Sequence, residues 1–278
     1  MSVYDEPKHD CHCHLFDPLR YPYRAETPYR PSGQEIATLE QMNAVFAAYG
    51  VQRALLVQPN SGYDTDLSCM LDAIAASEGQ FKGVAVVPLD ISATELAALR
   101  GRGIVGVGFN PAGLGLAGYD GAGPLLEKLA ALGLLLQVQV QQDQILELLV
   151  LLRTFPGRLL IDHCGRPDIG LGIDALGFQA LLALGREGRT WVKLSGYAKF
   201  SREPWPHRDT WPFVLALKAA FGVERCLWAS DWPFIRAPER VDYGPLVRLV
   251  AMLFPARDER ARVFWGNAAE LFGFEAVG

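Results

Sequence analysis

His12 and His14, one residue apart in Asp10-Cys11-His12-Cys13-His14, are the residues of this chain best suited to chemistry. Asp162-His163 answers them in mid-chain, and Ser230-Asp231-Trp232-Pro233 near the C-terminus. The chain has five histidines, and three of them sit in these segments. Pro7–Phe16 reads as a strand, on which alternate side chains share a face. His12 and His14 then point one way, while Cys11 and Cys13 point the other, toward a layer of helices.

Imidazole and carboxylate suit Zn2+ or Mn2+. His12, His14 and Asp231 could hold a single divalent metal of this kind. A fuller metal site would draw a ligand from the fourth or fifth strand. The fourth, Ile104–Phe109, carries no Lys, Glu or His, and the fifth offers only Gln137 and Gln139, which are poor ligands. No cofactor is therefore favoured. Without a metal, Asp231 becomes the general base for water, and His12, His14 and His163 become hydrogen-bond donors to a developing oxyanion. An ordinary aspartate, with a pKa of about 3.9, is a weak base for water. Such a site can open only an acyl group with a good leaving group, as in an activated lactone.

These residues need elements that converge. Eight apolar stretches read as strands: His9–His14, Arg53–Gln58, Lys82–Val87, Ile104–Phe109, Leu134–Val140, Leu159–His163, Trp191–Ser195 and Arg225–Ser230. Helical patterns separate them, among them Glu35–Tyr49, Asp66–Ser77, Ala93–Arg100, Gly123–Leu132, Gln144–Phe155 and Thr210–Phe221. Val241–Leu253 and Asp258–Phe272 close the chain as helices. Strands alternating with helices imply a parallel sheet, and eight is the number that closes a (β/α)8 TIM barrel. A doubly wound open sheet is the alternative. The first strand has no GxGxxG after it, and polar strand ends run from the first strand to the eighth. Both features favour the barrel, as one domain over residues 1–278.

On a barrel, outward positions pack against helices and are apolar. Leu136, Val138, Val140, Val192, Leu194 and Trp228 then face out, leaving Gln137, Gln139, Lys193 and Ser195 inside. The same alternation puts Asp10, His12 and His14 inside, groups His163 with Leu159 and Ile161, and turns Asp162 outward. The inner rim expected at the C-terminal mouth, where barrel sites sit, is His12, His14, Gln58, Asn110, Gln139, His163, Ser195 and Asp231.

Composition removes other classes. Charged residues are 21%, the net charge is −5 and no basic run occurs, which argues against nucleic acid and anionic membranes as partners. The N-terminus shows no secretory apolar core, and no apolar run is long enough to span a bilayer. Five cysteines without a CxxC pair read as reduced, buried thiols of a cytoplasmic protein. Helical faces such as Val241–Leu253 could serve a homo-oligomer.

The motifs Asp10–His14 (DCHCH), Asp162–Pro167 (DHCGRP), Val192–Ser195 (VKLS), Trp228–Pro233 (WASDWP) and Gly266–Phe272 (GNAAELF) run in order from end to end. With them the chain resembles the amidohydrolase superfamily, in its amidohydrolase-2 lactonase branch. DCHCH followed by Phe16 and Tyr21-Pro22-Tyr23 is most similar to the 2-pyrone-4,6-dicarboxylate lactonases. The resemblance implies that Asp231 activates water, that His12, His14 and His163 polarise the lactone carbonyl, and that no metal is needed. Metal-dependent hydrolases and decarboxylases of the superfamily are the alternative, and a non-catalytic binding barrel is a remoter one. Family members often carry Arg in a GVRFN motif, where this chain has Gly106-Val107-Gly108-Phe109-Asn110. Recognition of an anionic lactone would then fall to other cations: Arg166 first, then Lys199 and Arg202, with Arg20, Arg24 and Arg236 behind them. Gln58, Asn110, Gln139 and Ser195 complete the expected substrate-binding set. Trp205-Pro206-His207 reads as part of a lid, with His207 exposed.

Overall fold

The computed structural model describes residues 2–274. Its strands are β1 (Lys8–Cys13), β2 (Val51–Val57), β3 (Phe81–Ala85), β4 (Ile104–Phe109), β5 (Leu135–Val138), β6 (Leu159–Ile161), β7 (Thr190–Leu194) and β8 (Cys226–Trp228). They pair in sequential order, all parallel. Past the end of β8 the ring is completed by Asp231 N donating to His12 O at 2.8 Å and His14 N donating to Trp232 O at 2.9 Å. The protein is a (β/α)8 barrel.

The helices are α1 (Leu39–Tyr49), α2 (Ser68–Ala76), α3 (Ala93–Gly101), α4 (Pro111–Leu114), α5 (Gly123–Leu132), α6 (Gln144–Thr154), α7 (Leu176–Arg186), α8 (Trp211–Phe221), α9 (Tyr243–Leu253), α10 (Arg257–Ala261) and α11 (Asn267–Phe272). The helix expected over Glu35–Tyr49 begins later. Thr38 caps α1 by accepting from Gln41 N at 3.2 Å, and only a 3-10 turn, Gly33–Glu35, precedes it. The expected helix Asp258–Phe272 is broken by a π turn at Arg262–Gly266. Among the described residues, no helix is long and apolar enough to cross a membrane.

Two apolar layers hold the barrel. Outside the ring, Ala54, Leu56, Val107, Leu136, Val138, Ile161, Val192, Leu194 and Trp228 pack against the helices. Inside it, Cys11, Leu55, Val84, Leu135, Leu160, Leu227 and Ala229 form a second cluster with Leu271, Phe272 and Phe274. The last three plug the lower end of the barrel. Lys82 Nζ donates to Phe272 O and Gly273 O, and Arg158 Nη1 to Leu271 O, each at 2.8 Å. Full burial of one such leucine contributes about 1.5–3 kcal/mol.

The expected alternation fails on β1. Asp10 pairs with Ala54 and Cys13 with Leu56, so three steps on β1 oppose two on β2. This bulge inserts one residue and resets the faces. Cys11 lies in the inner cluster and Cys13 in the outer one, so the cysteines do not share a face. Asp10 is not inside with His12. It faces α9, where its carboxylate accepts from Tyr243 Oη at 2.8 Å and from Ser230 N at 2.9 Å. Burial raises the Asp10 pKa, and the bonds from Ser230 and Tyr243 oppose that rise.

Candidate active site

At the C-terminal mouth, Asp231 is 3% exposed and stands at φ +65°. Its Oδ1 lies 3.7 Å from His12 Nε2, 3.6 Å from His14 Nε2 and 3.6 Å from His163 Nε2. Among the described residues, neither this Oδ1 nor His163 Nε2 has a hydrogen-bond partner. Oδ2 is engaged by Lys199 Nζ at 2.5 Å. Burial works to raise the Asp231 pKa. The Lys199 charge, then His163 and the other imidazoles, outweigh it and hold the carboxyl well below its usual range. Burial pushes His12 and His163 well below the ordinary imidazole value, with Lys193 adding to the effect on His12.

His163 reaches this centre by a backbone device. Leu159 and Ile161, its strand-face companions, pack outward, and simple alternation would carry His163 with them. His163 stands at φ +50°, which turns it back into the mouth. A non-glycine residue in that region costs on the order of 1–3 kcal/mol. Asp162 faces in with Leu160, the opposite phase to Leu159 and Ile161, which corrects the expectation that it turns outward. Its Oδ2 accepts from Gln137 Nε2 at 2.8 Å, and its Oδ1 lies 3.0 Å from Lys193 Nζ.

The outer nitrogens of the imidazoles have separate partners. His14 Nδ1 donates to Val57 O at 2.8 Å, since a carbonyl only accepts. His14 Nε2 therefore shows a lone pair to Asp231 when the ring is neutral. His163 Nδ1 is 2.9 Å from Ser195 Oγ. Ser195 thus holds His163 from behind and is absent from the cavity wall.

Above the centre opens a cavity of about 530 Å3. His12, His14, Gln58, Asn110, Gln139, Arg166, Lys199 and Asp231 line it as expected, while His163 stands behind them. Some of these amides are already committed. Gln58 Nε2 donates to Asp64 O and Asp66 O, both at 2.8 Å, and Asn110 Oδ1 accepts from Gly113 N at 3.0 Å to cap α4. Gln139 keeps its amide free of such bonds among the described residues and faces the cavity. Arg166 Nε is buried without a partner, and burial lowers its pKa. Arg202 does not reach the site; it is exposed and pairs with Asp168 at 3.0 Å. His207 is not exposed either: it is 3% accessible, 2.9 Å from Glu203 O through Nδ1.

Two lining residues were undervalued from sequence, Tyr29 and Arg236. The Arg236 guanidinium lies over the Tyr29 ring at 5.1 Å, and Glu35 accepts from both Tyr29 Oη and Arg236 N. Only proximity to Asp231 could have flagged Arg236. Gly108 lines the cavity, where an added Cβ would make van der Waals contact with Val84 Cγ1 at 3.4 Å.

His12, His14 and Asp231 bring ligand atoms within 4.8 Å of one another. By type they suit Zn or Mn. Two features of the surroundings oppose a bound ion: the Lys199 ammonium sits on Asp231, and Gly108 of β4, Gln137 of β5 and Gln139 just after it add no strong ligand. His163 Nε2, unpartnered among the described residues and 3.6 Å from Asp231 Oδ1, would be a fourth donor to such an ion, while the Lys199 charge on Asp231 opposes it.

Comparison with known proteins agrees with this architecture. The chain belongs to the amidohydrolase family, whose model matches residues 9–274. It is 31% identical to a 4-sulfomuconolactone hydrolase of Rhizobium radiobacter, over 95% of this chain and 89% of the relative. It is 29% identical to a 2-pyrone-4,6-dicarboxylate hydrolase of Comamonas testosteroni, over 96% of this chain and 90% of the relative. A crystal structure from Acinetobacter baumannii, described as a "probable 2-pyrone-4,6-dicarboxylic acid hydrolase" with citric acid bound, superposes with a TM-score of 0.87. It is 26% identical, over 96% of this chain and 99% of the other.

Proposed function

We propose that this chain, a member of the amidohydrolase family, hydrolyses an activated lactone bearing an anionic group, with 2-pyrone-4,6-dicarboxylate as the leading candidate. The observation that carries the reading is Asp231 Oδ1, buried without a hydrogen-bond partner and facing three imidazole nitrogens at 3.6–3.7 Å. Oδ1 takes a proton from water while the water oxygen bonds to the lactone carbonyl carbon. The carbonyl oxygen becomes an oxyanion, stabilised by imidazole N–H donors that are themselves almost fully buried. The ring C–O bond then breaks, and Asp231 returns its proton to the leaving oxygen. A carboxyl held at low pKa is a weak base, so the leaving group must be good; the enolate of a pyrone meets that need.

The anionic substituent is supported by charge. Among the described residues Arg166 Nε has no hydrogen-bond partner, and Arg236 adds a second guanidinium at the wall. Lys199 is already committed to Asp231. The named relatives act on a dicarboxylate and on a sulfonated lactone.

The test is hydrolysis of 2-pyrone-4,6-dicarboxylate by purified protein, with and without a chelator, alongside elemental analysis. Chelator-resistant turnover is expected. Asp231→Asn should lose about 10²–10⁴-fold in kcat while keeping its fold. Wild-type turnover in Asp231→Asn would sink the mechanism. Turnover lost on chelation, with about one equivalent of metal present, would move His12, His14 and Asp231 from catalysts to ligands.

A further inference from the structure

Beneath His12 lies a group of polar side chains that the hydrolytic steps above do not use. Lys193 on β7, Gln137 on β5 and Asp162 after β6 are 0%, 2% and 1% exposed. Lys193 Nζ donates to Gln137 Oε1 at 2.6 Å and lies 3.0 Å from Asp162 Oδ1. Its third neighbour is His12 Nδ1, at 3.1 Å. Gln137 Nε2 donates to Asp162 Oδ2 at 2.8 Å and closes the group.

An ammonium carries three N–H donors and no acceptor. Here it meets three partners, and every donor is satisfied only when His12 Nδ1 accepts. The alternative puts a proton on Nδ1 and directs it to Asp162 Oδ1 across 3.3 Å. That exceeds the about 2.7–3.2 Å of ordinary N–H···O bonds. It would also set the third Lys193 N–H against another N–H in a buried, low-dielectric site, where an unmade bond is costly.

We infer that Lys193, braced by Gln137 and Asp162, holds His12 in the tautomer with its proton on Nε2. The three imidazoles around Asp231 are then not equivalent. His12 points an N–H into the cavity, whereas His14, anchored by Val57 O, points a lone pair there. The functional division rests on the lactone-hydrolase reading above: His12 donates to the carbonyl oxygen, and His14 accepts on the water side. Lys193 touches no substrate and is a positioning residue acting through His12.

The test reads ring nitrogens directly, by 15N-resolved NMR of histidine in the intact protein, with His12 assigned through its missing signals in His12→Gln. No substrate is involved, so the result stands whether or not any lactone is turned over. Wild type should show the proton on His12 Nε2. Lys193→Met should move it to Nδ1, bonded to Asp162, and Asp162→Asn, which keeps the lysine, should leave it on Nε2. In turnover, Lys193→Met should lower kcat about 10–100-fold with KM nearly unchanged. A wild-type His12 protonated on Nδ1 overturns the inference, as does a folded Lys193→Met with an unmoved proton. Should that variant fail to fold, Asp162→Asn decides: a proton moved to Nδ1 there makes Asp162 the determinant and removes Lys193 from the role.

Discussion

The two ends of the barrel interior are built on opposite principles. The lower half is filled by Cys11, Leu55, Val84, Leu135, Leu160 and Leu227, and plugged by Leu271, Phe272 and Phe274. The upper half gathers His12, His14, His163, Asp231, Lys199 and Arg166, and among the described residues leaves Asp231 Oδ1, His163 Nε2 and Arg166 Nε without hydrogen-bond partners. Buried polar groups are normally paired. The unpaired ones at the mouth are what a substrate can satisfy, and the lower half supplies the stability that sustains them. Between the two lies the satisfied Lys193–Asp162–Gln137 group, which belongs to neither pattern.

This contrast can be broken by substitutions on either side of it. Leu160→Ala, at the centre of the lower cluster, should cost about 2–5 kcal/mol in denaturant melts, because it removes contacts and leaves a cavity. Turnover per folded molecule should hardly change; a selective loss of kcat there would mean that the halves are not separable. Arg166→Met should act the other way, leaving the melt nearly unchanged. Loss of a charge-assisted contact of about 1.5–3 kcal/mol should raise KM for an anionic lactone roughly 10–100-fold and leave a neutral lactone alone. Equal effects on both substrates would remove Arg166 from anion recognition.

The smallest effect probes a polar intruder at the bottom. His9 is buried against Trp265 and Phe274, with both ring nitrogens unpartnered among the described residues. Burial, with Arg53 adding to it, lowers its pKa from 6.5 to about 3. The unfolded chain then binds a proton below pH 6.5 that the folded chain refuses until about pH 3, so stability falls as pH drops through that window. His9→Phe should flatten this limb of the stability curve and leave turnover at neutral pH intact. An unchanged slope would show that His9 does not titrate as its burial implies.

Much of the fold was legible from residue patterns. Alternation located Gln137, Gln139 and Lys193 inside and Trp228 outside, because β5, β7 and β8 keep a regular pleat. It failed for Asp10 and Cys11, and for His163, whose grouping with Leu159 and Ile161 put Asp162 on the wrong face, for two different local reasons. On β1 a bulge adds a residue, which reverses every face behind it. After β6 the chain leaves the strand, and His163 takes a left-handed backbone. Neither event changes composition or apolar spacing, so neither leaves a mark in the pattern. Arg202 and Arg236 show the same limit for loops. Both are cations beyond a strand end, and only the loop path sends one to Asp168 and the other to the cavity wall.

The sequence by itself determined which chemical groups exist and which strands carry them. Three histidines and an aspartate sit at strand ends of a chain whose strand–helix alternation closes on itself. What only the tertiary structure decided was the state of each group. Lys199 on Asp231, Lys193 on His12 and Val57 O on His14 are pairings between segments remote in sequence. They set charge, proton position and direction, because hydrogen-bond geometry and desolvation depend on distances of a few ångströms that exist only once the barrel has closed.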